Sequence, residues 1–389
     1  MEMPFKESPL VNPPVRSERD HRARALLAEA DIMVNGGRPW DMRIHHAGTL
    51  DRVLSRGSLG LGESYMDGWW DCERVDELIS RVLQARLDEQ VGRPGWWWAM
   101  LRARLTNLQS MGRAWQVGQV HYDLGNALYE AMLDPSMAYS CGYWAQADDL
   151  AQAQEDKLEL VCRKLQLAPG MTLLDIGCGW GSLMRHAARH HGVQCLGLTV
   201  SREQAAWGQA HAQGLPLRFE LMDYRQFNPE GKVRFDRVAS IGMFEHVGRK
   251  NYPAYFGMVQ RCLSDDGLFL LHTIGKNHSG AHIDPWIEKY IFPNGELPSL
   301  ADLASHAENF VVEDLHNFGA DYDCTLMAWH ARFEAAWPRL KSRYDERFYR
   351  MWRYYLLCCA GTFRARDNPL WQVVLSPRGV PGGYRRPLL

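Results

Sequence analysis

The chain has 389 residues, 46% of them hydrophobic and 23% charged, with a formal net charge of -2. That is enough sequence for two ordinary domains and the composition of a folded protein, which excludes a small disulfide-stapled scaffold, a collagen-like chain and a largely disordered one. The near-neutral balance argues against a nucleic-acid partner, no stretch reaches the ~18 apolar residues of a membrane span, and the polar start lacks the apolar core of a secretion signal, so the cytoplasm is the expected compartment.

In chain order, residues 1–20, with four prolines among charges, read as a flexible leader. The run ARALLAEA from Arg22 onward predicts a helix, and IMV and WDMRIH predict two short strands around an Asn35-Gly36 turn. Val75, Leu78, Ile79, Val82 and Leu83 recur at helical spacing, with Asp76, Glu77 and Arg81 on the opposite face. Residues 21–110 are thus expected to form a small α+β domain. Within it, VGRPGWWWAMLRARL places tryptophans beside arginines, the composition either of a segment at a lipid headgroup boundary or of a packing hinge. Residues 111–120 read as a linker and 121–389 as a second domain. From Met171 that domain alternates strand and helix: TLLDI, a Gly-rich turn, a helix through Arg189, QCLGLT, a helix from Arg202, LRFEL, FDRVASI, a helix from Tyr252, and LFLLHT. Alternation of this kind predicts a parallel sheet covered on both faces, with ligands at the carboxyl ends of the strands. FVVEDLHNF and WQVVLS then predict a strand pair split by a Trp/Tyr-rich helical insertion, and the tail from Ser376 reads as a mobile end. Nine cysteines at irregular spacing, with no Cys-x-x-Cys pair, read as reduced and mostly core thiols, and no metal centre is expected.

The turn LDIGCGWGS carries the chemistry. Asp175 ends a strand, and Gly177, Gly179 and Gly181 follow at every second position, so the backbone turns sharply and sets N–H groups against a ligand ahead of a helix N-terminus. The spacing is not Gly-x-Gly-x-x-Gly, and the next strand ends GLTVS without an acidic residue for a ribose, which disfavours NAD. The pattern resembles the first motif of S-adenosylmethionine (SAM)-dependent methyltransferases. Gln204, one helical turn past GLTVS, is placed to reach the ribose, and Asp223-Tyr224 follow LRFEL where such folds read adenine.

A closer resemblance runs through GSLGLGESYMDGWWD, HYDLGN, YSCGYW, LDIGCGWG, GMFEHVG, HTIG, DPWIEKYIFPNGELPS, HNFGADYDCTLMAW and FRARD. Together these segments resemble the cyclopropane-fatty-acyl-phospholipid synthases over nearly the whole chain. The resemblance implies an α/β, Rossmann-like SAM-dependent methyltransferase domain behind a smaller N-terminal α+β domain that serves lipid binding and dimerisation. It implies methylene transfer from SAM to the cis double bond of unsaturated acyl chains in bilayer phospholipids, by a homodimer peripheral to the inner face of the cytoplasmic membrane. It further implies a bound bicarbonate as proton acceptor, held by Cys141, Glu245, His272, Ile274 and Tyr322, with Cys141 and Ile274 offering backbone groups. For SAM it carries Tyr139 and Ser140 to the sulfonium end, Gly177 and Gly179 to the turn beneath it, Thr199 and Gln204 to the ribose, and Asp223 with Tyr224 towards adenine. Glu63, Tyr65 and Trp70 are read as packing and interdomain contacts. A methyl transfer that stops short of ring closure shares the same cation and stands as the alternative.

Overall fold

The computed structural model describes residues 18–90, 125–229, 234–280 and 283–388. The Trp-Arg run, the linker and most of the leader lie outside them, although Glu18–Asp20, read as leader, already begin a helix.

The N-terminal part holds α1 (Glu18–Glu29), β1 (Arg43–Ile44), α2 (Thr49–Met66), β2 (Trp70–Asp71), α3 (Val75–Gln84) and α4 (Leu87–Gln90). The expected hairpin around Asn35-Gly36 does not form. Asp41 is buried and its carboxylate accepts from the N–H groups of Met33 and Arg38, which turns the chain into a tight loop with only a parallel Val34–Met42 bridge. Arg43–Ile44 pairs instead with Trp70–Asp71, antiparallel. Along α3 the apolar stripe packs inward as expected, but Asp76 is not on a solvated face. It is fully buried and paired with Arg74 and Arg364.

The second part runs through α5 (Asn126–Met132), α6 (Leu150–Lys164), β3 (Thr172–Ile176), α7 (Ser182–His191), β4 (Gln194–Thr199), α8 (Arg202–Ala210), β5 (Leu217–Leu221), β6 (Phe235–Ile241), α9 (Tyr252–Cys262) and β7 (Leu263–Ile274). It continues with α10 (Pro285–Tyr290), α11 (Leu300–His306), β8 (Val311–Asn317), α12 (Ala320–Leu340), α13 (Glu346–Arg364) and β9 (Leu370–Ser376). The strand–helix alternation read from the sequence is present throughout. The seven-stranded sheet has the order β5-β4-β3-β6-β7-β9-β8. It is mixed rather than wholly parallel: β9 runs antiparallel to both β7 and β8, because its chain returns from the helical insertion instead of through a crossover. Successive residues of β3 face opposite cores, Leu173 among α6 and α7 and Leu174 among α9 and its neighbours, the pattern of a sheet covered on both faces.

A third core joins the two parts of the chain. Trp70, Val75, Leu78 and Ile79 bury themselves with Trp352, Leu356 and Leu357 of α13. Backbones meet at Gly361, where a Cβ would lie 2.4 Å from the Asp76 carbonyl oxygen, so only glycine allows α3 and α13 this close. Glu63 on α2 accepts from Lys289 at 2.7 Å and Tyr290 at 3.1 Å on α10, and Arg350 reaches the Trp70 carbonyl at 2.8 Å. The tail is likewise tied down rather than mobile: the Tyr384 hydroxyl donates to the Lys164 carbonyl at 2.9 Å, and Arg386 grips Asp314.

Candidate active site

Order reversal in the sheet falls at β3, with β4 on one side and β6 on the other, and the loops leaving the carboxyl ends of β3 to β6 enclose a cavity of about 170 Å³. Nine of the ten expected cofactor residues line it: Tyr139, Ser140, Asp175, Gly177, Gly179, Thr199, Gln204, Asp223 and Tyr224. The tenth, Gly181, does not. It caps α7 with φ +79°, and a Cβ there would meet the Phe219 ring at 2.5 Å, so its glycine serves packing.

The Gly-rich turn hangs on β4, with the N–H groups of Gly177 and Cys178 both donating to the Leu198 carbonyl. Gly177 has φ +82°, and a Cβ would sit 2.7 Å from Met243 on the neighbouring loop. Gly177→Ala therefore combines an unfavourable backbone region with a collision across the cavity floor. We expect it to weaken SAM binding at least tenfold, measured by calorimetry, in a protein whose circular dichroism is unchanged.

Where the ribose is expected, the Thr199 hydroxyl donates to Gln204 Oε1 at 3.1 Å and orients that amide. Where adenine is expected, both oxygens of Asp223 accept from the Arg225 guanidinium, which leaves only their remaining lone pairs for a base. Beside Ser140, where the sulfonium is expected, lies a residue that sequence reading missed. Lys157 is buried, lines the cavity, and donates from Nζ to the Ser140 hydroxyl at 2.9 Å. Burial pulls its ammonium down to about 8, against the attraction of Asp134, Cys141 and Asp175. Burial also pushes Asp175 up to about 7 although Lys157 opposes it. The available signal was a lysine one turn from both Ala153 and Val161, inside the apolar stripe of α6.

None of the five residues assigned to the anion lines this cavity, although Cys141, Glu245 and His272 border residues that do. Cys141 follows Ser140, and Glu245 sits between Met243 and His246. Glu245 Oε1 accepts from the Ile274 N–H at 2.7 Å, so that N–H aims the carboxyl group rather than standing open to a ligand. Glu245 Oε2 is buried without a partner, as is His272 Nε2. The Gln372 amide nitrogen faces His272 Nδ1 at 3.2 Å; with the amide donating, Nδ1 accepts and Nε2 keeps the proton. Burial, reinforced by Lys157 and Lys164, holds the His272 imidazole neutral. Burial raises Glu245 to about 7, against the Ile274 N–H. Tyr322 is kept a neutral phenol by burial, with Cys141, Tyr139 and Glu245 as its nearest electrostatic neighbours. An unsatisfied donor, an unsatisfied carboxyl oxygen and a phenol together fit a small oxyanion carrying a hydroxyl. The Cys141 thiol bonds to the Gly142 carbonyl and is raised well above the usual thiol range, a poor nucleophile.

Aromatic rings close the space around Tyr139. Its hydroxyl meets that of Tyr355 at 2.9 Å, and its ring lies 5.1 Å from Trp329 and 5.2 Å from Tyr129. Tyr322 and Phe363 pack nearby in a tilted pair at 4.6 Å.

This topology and Gly-rich turn define a SAM-dependent methyltransferase fold. Residues 109–373 match the family model described as mycolic acid cyclopropane synthetase. The chain belongs to that family. It is 55% identical over 367 residues, 93% of its own length and 94% of the relative's, to a cyclopropane-fatty-acyl-phospholipid synthase of Escherichia coli (strain K12). A probable fatty acid methyltransferase of Pseudomonas putida is 40% identical over 279 residues, 69% of this chain and 70% of that protein. Among solved structures, a mycolic acid cyclopropane synthase complexed with SAH and CTAB superposes with a TM-score of 0.63 at 34% identity, over 67% of this chain and 97% of that one.

Proposed function

We propose that the protein transfers a methylene from SAM to the cis double bond of unsaturated acyl chains in membrane phospholipids, producing cyclopropane fatty acids. The supporting observation is one juxtaposition: buried, unsatisfied Glu245 Oε2 and His272 Nε2 beside a cofactor cavity whose Tyr139 wall is aromatic. Transfer to oxygen or nitrogen can use such a base as well; the aromatic wall, suited to a carbon cation, is what favours an alkene as the acceptor. Attack of the alkene on the sulfonium methyl leaves positive charge on the adjacent carbon, and the faces of Tyr139, Trp329 and Tyr322 stabilise it without capturing it. Ring closure then requires loss of a proton from the transferred methyl.

Glu245, His272, Tyr322 and backbone at Cys141 would hold a bicarbonate, which when bound supplies the base for that proton. His272 Nε2–H and the Tyr322 hydroxyl would donate to its oxygens, and ionised Glu245 would accept from its hydroxyl. Ile274 acts through Glu245, by the N–H bond that fixes it. Lys157 orients the Ser140 hydroxyl at the sulfonium end and offsets Asp175. We further propose a homodimer at the inner face of the cytoplasmic membrane, with residues 21–110 serving lipid binding and dimerisation. Among the described residues no helix is long and apolar enough to cross a membrane.

The similarity to a fatty acid methyltransferase supports a second reading, a methyl-branched product in which ring closure fails. One assay separates the two. Purified protein, SAM and liposomes of a monounsaturated phospholipid are incubated, and the acyl chains analysed by mass spectrometry and proton NMR. A gain of one methylene with upfield ring protons is the expected result. A gain of one methylene with new methyl-branch or exomethylene signals and no ring protons establishes the second reading, and absence of any acyl product overturns both.

A further inference from the structure

On the opposite side of α6 from Lys157, one group of soft ligand atoms converges among the described residues. Cys162 on α6, with His186 and His191 on α7, present a sulfur and two ring nitrogens that all lie within 4.8 Å of one another. Glu159, one turn before Cys162, flanks the group on its imidazole side, close enough to be drawn in as a fourth ligand: its Oε2 lies 3.2 Å from His186 Nε2 and 2.9 Å from His191 Nε2. Arg163 holds the other oxygen, Oε1, at 2.7 Å and so points Oε2 at the imidazoles.

We propose that Cys162, His186, His191 and Glu159 bind one zinc-type divalent cation that clamps α6 to α7. A tetrahedral ion with bonds of about 2.0–2.3 Å has ligand-to-ligand edges of roughly 3.3–3.7 Å, close to the carboxylate–imidazole separations already present. A thiolate with two imidazoles and one carboxylate is a borderline-soft set, suited to zinc over magnesium or calcium, and four protein ligands make a closed structural site rather than a catalytic one. Access exists from the imidazole side, since the His191 side chain is 17% exposed while Cys162 forms the buried floor. On binding, the Cys162 thiol loses its proton to solvent and sulfur bonds the metal in its place, so uptake strengthens as pH rises. The ligands come in pairs from two helices separated by a strand and a turn, a spacing no compact Cys/His motif displays. Both helices border the cofactor cavity: α6 carries Lys157, and α7 begins at Ser182 directly after the Gly-rich turn.

The test uses the full-length, tag-free protein stripped with chelator. Titration with Zn²⁺ followed by calorimetry, and with Co²⁺ followed by absorption, should each show one equivalent bound, the cobalt form carrying a thiolate charge-transfer band and the intense visible bands of a tetrahedral ion. Cys162→Ala should abolish the charge-transfer band. His191→Asn changes a partly exposed side chain at the end of α7, leaves the core untouched, and should weaken Zn²⁺ binding at least tenfold with loss of the metal-dependent rise in Tm. Absence of the band in the parent protein, or Zn²⁺ affinity equal in the parent and both variants, would overturn the site.

Discussion

Replacing Glu245 with Gln should lower kcat by roughly 10²–10⁴-fold, the usual span for a lost acid–base partner, while SAM affinity stays within about twofold of the parent. Gln retains the oxygen that accepts from the Ile274 N–H, so the loop keeps its anchor and only the proton-accepting oxygen is exchanged. The pH profile distinguishes a chemical from a structural role. Because burial raises the Glu245 carboxyl to about 7, activity that needs its ionised form should rise through neutrality in the parent, and that limb should vanish in the variant. Stability runs the other way. A folded-state value above the unfolded ~4.3 means that the favourable contribution is complete below the unfolded value and is lost as pH rises through about 7. The Gln variant should therefore melt above the parent at pH 8 and close to it at pH 5. Parent-like turnover, or a retained acid limb, sinks the assignment.

The largest stability effect is expected at Arg364→Met. Arg364 donates two bonds to Asp323, at 2.8 and 2.9 Å, and a third to Asp76, whose side chain has no solvent exposure. Its removal leaves a buried carboxylate with only Arg74, which is about half exposed, and removing one member of a buried pair typically costs about 3–5 kcal/mol. We expect about 3 kcal/mol by urea unfolding, since Arg74 remains. Burial pushes the Asp76 carboxyl up, but its two guanidinium partners outweigh burial and leave it below its usual range, so its contribution is complete above the unfolded ~3.9 and lost only as pH falls through the folded value. The deficit of the variant should hence be full at pH 7 and shrink only in strong acid. A loss below 1 kcal/mol at pH 7 would show that the pair is not what holds α3 against α13.

Asp76 also shows where the sequence was legible and where it was not. Strands such as TLLDI and FDRVASI announce themselves because both faces are buried, and Asn, Asp and Gly punctuation bounds them; the sheet, its Gly-rich turn and the cavity residues Asp175, Gly177, Gly179, Gln204, Asp223 and Tyr224 were readable for that reason, whereas Tyr139, Ser140 and Thr199 came from the resemblance. Periodicity assigns a side chain to a face of its own helix, and it says nothing of what stands opposite. Asp76 was placed only on the face opposite the apolar stripe, because Arg364, 288 residues later, is invisible at that range. Lys157 was passed over for the converse reason: its partners, Ser140 and Asp175, come from two other elements. The Asn35-Gly36 turn signal was real chemistry outcompeted locally, since Asp41 satisfies the N–H groups a hairpin would have used. Glu245 and His272 were placed by resemblance; the residues alone gave only their position past strand ends.

The core shared by α3 and α13 couples the two parts of the chain. Tyr65, Trp70 and Asp76 lie on one side of a seam whose other side is Arg350, Tyr354, Gly361 and Arg364. A larger residue at 361 or a lost charge at either end has no solvent to absorb the change. Removing the N-terminal helices would bare the face of α13 that Trp70, Val75 and Leu78 cover, so in this chain a cut between the two parts is expected to cost the helical insertion its solubility as well as its stability.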